Sequence, residues 1–96
     1  MAGSGLKTLR CRVRISGRTV TFECLAPTAG AAGYVIARQA FDDRDVLWVQ
    51  VVVSEWSGVL GEFIEPKNAI VFTRNDPVPD GADHVVLIGV VSIDDR

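Results

Sequence analysis

The chain has 96 residues, 48% of them hydrophobic and 23% charged, a balance that excludes a disordered tail and suits one small domain with a single core. No apolar run approaches the roughly 20 residues of a membrane-spanning helix, and the first residues lack the apolar segment of a secretion signal, so the expected address is the cytoplasm. The net charge of -2 conceals a segregation: residues 1–20 carry five basic side chains and no acidic one, and the rest carries five basic and twelve acidic.

Residues 1–6 are small and patternless and read as a flexible leader before one α+β domain spanning 7–96. Strict alternation then begins. Leu9, Cys11, Val13 and Ile15 fall on one face and Arg10, Arg12 and Arg14 on the other, which is the signature of a half-buried strand. Ser16-Gly17 is a two-residue turn signal, and Val20, Phe22 and Cys24 alternate beyond it with Thr19, Thr21 and Glu23. The hairpin register this predicts sets Ile15 against Arg18, Val13 against Val20, Cys11 against Phe22 and Leu9 against Cys24. Cys11 and Cys24 then sit diagonally, with Cβ atoms about 7 Å apart or a little less, beyond disulfide geometry, and read as buried free thiols.

Ala26 to Phe41 is the one helix candidate, with Thr28 after Pro27 as its N-cap. Gly30 and Gly33 each cost such a helix roughly 1 kcal/mol against alanine, so it depends on packing through Ala29, Ala32, Gly33, Ile36, Ala37 and Ala40. Asp42, Asp43 and Asp45 crowd its C-terminal end, where the macrodipole disfavours negative charge; Arg44 and the basic hairpin are the expected relief.

Val46 to Trp56 is the longest apolar run and carries the strongest β signal. Leu47, Val49, Val51 and Val53 form one face, and Val46, Trp48, Gln50, Val52, Ser54 and Trp56 the other. Both faces are largely apolar, so this strand is expected at the centre of the sheet and covered on both sides. Shorter strands follow over Val59–Ile64 and Ala69–Arg74, then a loop rich in Pro and Asp from Asn75 to Asp83, and a second two-sided apolar run from His84 to Ile93. The order ββαββββ gives an antiparallel sheet of about five to six strands with one helix after an N-terminal β-hairpin; a small β-barrel with one helix is the alternative.

No catalytic, cofactor-binding or metal-ligating residue stands out. Gly30-Ala31-Ala32-Gly33 at a helix start lacks the lysine and hydroxyl of a phosphate loop, and the glycines fit close packing instead. The aspartates of both acidic groups fit turn chemistry and lack a calcium-loop spacing. His84 is the sole histidine and has no nucleophile signature beside it.

An enzyme would need a pocket at the sheet's edge near His84 and the 75–83 loop and ranks third, behind two other functional readings. The first is a small non-enzymatic binding or assembly module that self-associates as a symmetric dimer through an apolar sheet face bearing Trp48, Val52, Trp56, Val86 and Ile88, since one helix cannot cover so much apolar strand surface. The second is a nucleic-acid-binding domain that uses Lys7, Arg10, Arg12, Arg14 and Arg18 along phosphates. A surface for single strands would add aromatic side chains to stack bases, and the neighbouring strand offers only Thr19, Thr21 and Glu23. The arginine face is in either case expected at the surface, because burying three unpaired guanidinium groups would cost many kcal/mol.

Overall fold

The computed structural model describes residues 5–95. Strands β1 (Lys7–Ile15) and β2 (Arg18–Ala26) form the expected hairpin, with each of the four inner pairs in the predicted register. Its turn places Ser16 at φ 45° and Gly17 at φ 83°, both left-handed, a geometry whose twist matches that of the strands it joins.

Helix α1 (Ala29–Ala40) starts where Thr28 Oγ1 accepts a hydrogen bond from the Ala31 N–H at 3.0 Å. Its buried side is Ala31, Ala32, Gly33, Ile36 and Ala37, small residues that let the axis lie close to the sheet. At Gly33 this closeness is obligatory, since a Cβ there would stand 2.9 Å from the ring of Phe72. Arg44 makes no hydrogen bond or ion pair at the helix's C-terminal end among the described residues. Arg74 reaches it instead, donating to the Phe41 carbonyl at 2.8 Å and to the Asp43 carbonyl, with its guanidinium 5.4 Å from the centre of the Phe41 ring. The Asp43 carboxylate is used locally, accepting from the Asp45 N–H at 2.9 Å.

Strand β3 (Trp48–Ser57) pairs with β1 along one edge. Its other edge is shared end to end by two short strands, β4 (Glu62–Ile64) beside Glu55–Ser57 and β5 (Ile70–Thr73) beside Trp48–Val51. A 3-10 turn at Ala82–His84 leads into β6 (Val86–Asp95), which pairs with β2 at the far side. The antiparallel sheet of six strands thus runs β4-β3-β1-β2-β6, with β5 also on β3. It is open, with β4 and β5 at one edge and β6 at the other, so the barrel alternative does not form.

One face of this sheet is packed. Leu9, Cys11, Val13, Cys24, Val49, Val51, Val53 and Phe72 are buried beneath Ala32, Ile36 and Ala37 of the helix. Burying aliphatic side chains of this size contributes about 1.5–3 kcal/mol each, which is what fixes α1 on β1, β2, β3 and β5. Cys11 and Cys24 lie in this layer unbonded, as the hairpin register requires. The Cys11 thiol, hydrogen-bonded to Cys24 and buried, is pushed far up from its ordinary range and stays protonated.

Strand boundaries differ from the sequence expectation most at the starts of β3, β4 and β6. β3 begins at Trp48 because Val46 turns back, its N–H donating to the Asp43 carbonyl at 3.1 Å and its side chain buried, which leaves Leu47 exposed. Residues 58–60 are a turn, closed by Leu60 N–H on Ser57 Oγ at 3.1 Å and Gly61 N–H on the Ser57 carbonyl at 2.8 Å, so β4 shrinks to three residues. His84 belongs to the 3-10 turn, and β6 starts two residues later than its apolar run.

Candidate functional site

The sheet face opposite α1 has no element over it among the described residues. Antiparallel partners project to the same side, so the register reads out its composition. Arg10, Arg12 and Arg14 of β1 stand beside Ser54, Val52 and Gln50 of β3 and beside Glu23, Thr21 and Thr19 of β2. Trp48 and Trp56 end the β3 column, both about half exposed. The second, apolar side of β3 is therefore open, where the sequence predicts cover.

The basic set splits. Only Arg10, Arg12 and Arg14 share the open face, since Lys7 pairs with Ala26 and Arg18 with Ile15 on the helix side of the strands. Acidic partners from the same chain meet most of the charge. Arg10 contacts Glu23 at 2.6 Å, Arg12 contacts Glu65 at 2.9 Å and Lys7 contacts Glu55 at 3.4 Å. Arg10 also lies 4.2 Å from the centre of the Phe63 ring, which in turn packs edge-on against Trp56 at 5.2 Å. Arg14 has no acidic partner among the described residues. A shallow concavity of about 640 Å³ opens between Arg10, Arg12, Trp56, Phe63, Glu62 and Glu65. Its basic and acidic groups offset one another, and it holds neither a nucleophile beside a base nor a pair of isolated carboxylates.

Strand β6 is the other exposed element. Its register against β2 slips twice, between Thr21 and Phe22 and between Glu23 and Cys24, so Val91 and Ile88 have no β2 partner. The slips redirect its faces. Val86, Gly89 and Ser92 project to the open side with Leu25, Glu23 and Thr21, while Leu87, Val90 and Ile93 project to the helix side with Cys24, Phe22 and Val20. Of these only Leu87 joins the core, and Val86, Ile88, Val90, Val91 and Ile93 are 53%, 61%, 54%, 48% and 55% exposed. The expected face of Trp48, Val52 and Trp56 with Val86 and Ile88 is thus two separate surfaces, because β1 and β2 and the arginine column lie between them.

Sequence reasoning missed Phe63, Glu65 and the two bulges. The first two come from β4 and the turn after it, whose position over Arg10 and Arg12 no local pattern announces. The bulges did leave a signal in Gly89, an isolated glycine within a strand.

Among the described residues no group of three His, Cys, Asp or Glu side chains is placed to hold a metal ion, and no helix is long and apolar enough to cross a membrane. Set against known protein families, curated proteins and solved structures, the chain matches none significantly.

Proposed function

We propose that the protein is a small non-enzymatic assembly module that binds a second copy of itself through the β6 side of its sheet. The observation that carries this reading is the five aliphatic side chains of β6, each about half or more exposed along one ten-residue strand. Scattered apolar side chains are ordinary on a protein surface; five of them along one edge strand, on both of its sides, favour a partner. The two unbonded thiols fit a reducing, cytoplasmic setting.

The nucleic-acid reading draws less support. Ion pairs within the chain engage Lys7, Arg10 and Arg12, which leaves few cations for phosphate, and the aromatic rings near them pack on each other and on Arg10.

Light scattering over a dilution series tests the proposal. A mass of twice the 10.4 kDa chain at micromolar concentration is expected, and the chain mass at every concentration overturns it. Generic DNA or RNA at low salt is expected to leave mobility unchanged; a salt-dependent shift would restore the basic hairpin as the site.

A further inference from the structure

We propose that two copies join edge to edge through β6, antiparallel about a two-fold axis near Gly89, so that two six-stranded sheets become one continuous sheet. This rests on the self-association proposed above and specifies its partner and geometry.

The two edges of the sheet are treated differently. On one, β4 and β5 are three and four residues long, the kind of short strand that blunts an edge against pairing. On the other, β6 runs ten residues with no proline and no charged side chain before Asp94, and its two bulges against β2 are the one blunting feature it carries. Its outer row of backbone N–H and C=O groups has no strand beside it among the described residues. A strand of the same kind satisfies those groups and sets a second row of aliphatic side chains beside the first on each side of the sheet.

Charge argues against the other arrangements of two copies. Packing two open faces together would bring the Arg10, Arg12 and Arg14 columns of both copies into one interface, desolvating guanidinium groups against like charge. Edge pairing leaves that face in water. A parallel arrangement would align the acidic end at Asp94 with its own copy. The antiparallel one keeps the two Asp94 side chains apart, setting each toward the other copy's His84, which already has its own Asp83 at 3.7 Å, and with Gly89 near the axis the two backbones meet where there is no side chain. Ile88 and Val91, left without a β2 partner by the bulges, then flank the axis. The contact is isologous, each copy giving and receiving the same residues.

Two single-cysteine additions and one charge variant test this on the full chain. The native Cys11 and Cys24 are fully buried, so thiol reagents are expected to spare them in the folded protein. A short thiol cross-linker is expected to join Val90→Cys into covalent dimers and to leave Gln50→Cys, on the open face, monomeric on denaturing gels, because paired strands lie only about 5 Å apart. Ile88→Lys is expected to weaken association at least about tenfold while the circular dichroism of the chain is unchanged. A dimer by light scattering that cross-links at Gln50→Cys and not at Val90→Cys overturns edge pairing and leaves self-association standing. A monomer at all concentrations overturns both and leaves the edge to a strand from another protein. Should Ile88→Lys fail to fold, the two cross-linking variants still decide.

Discussion

Strands β3 and β6 carry nearly the same sequence signature, ten residues apolar on two sides, and meet different fates. In β3, Val49 and Val51 are wholly buried under α1, with β1 along one edge and the short strands β4 and β5 along the other. In β6 only Leu87 reaches the core. The difference lies in position. α1 is twelve residues long and sits over β1, β2, β3 and β5, so a strand at the edge beyond β2 gains little cover from it. An apolar run in a sequence states how much surface must leave water; it does not state whether the same chain supplies the cover.

That contrast can be broken by mutation. The largest effect is expected for Val51→Asp, which places an unpaired carboxylate in the packed layer; a loss above about 4 kcal/mol, with no cooperative melt, is the expected outcome by circular dichroism. Next, Gly33→Ala drives a methyl into the Phe72 ring and should destabilise by about 1–3 kcal/mol in urea titration, whereas Gly30→Ala, with open space around it, should stabilise by up to about 1 kcal/mol. If both alanines stabilise, α1 is not held close to β3. On the open face, Arg10→Ala should cost about 1 kcal/mol through the loss of Glu23 and the Phe63 ring, and Arg12→Ala less than half of that, its pair with Glu65 being half exposed on both sides. The smallest effect belongs to β6. At a dilution where the chain is monomeric, Ile88→Lys should shift stability by less than about 0.5 kcal/mol, and a loss as large as that at Val51 would show that β6 is covered within its own chain.

The hairpin was legible in the sequence down to its register because two local signals agree there, a two-residue turn and a period of two on both sides of it. Thr28 as N-cap and β3 as an interior strand paired along both edges were legible for similar reasons, though the open second side of β3 was not. What stayed hidden depends on contacts between distant segments. Arg74 serving the end of α1, and Glu65 and Phe63 meeting Arg12 and Arg10, join residues 33 to 53 positions apart. The faces of β6 were misassigned because period-two reading assumes an unbroken ladder, and each bulge inverts the alternation beyond it. Val86 and Ile88 were joined with the β3 tryptophans into one surface because no local pattern gives the strand order, which sets two strands between them.

The end-to-end placement of β4 and β5 along the outer edge of β3 bears on how large an assembly can become. With that edge occupied by strands of its own chain, the sheet offers a single long position for strand addition. In the vocabulary of polymer chemistry the molecule is monovalent. A monovalent unit terminates growth where a divalent one propagates it, so any strand pairing at β6 yields a closed pair or a capped complex and does not yield a fibre.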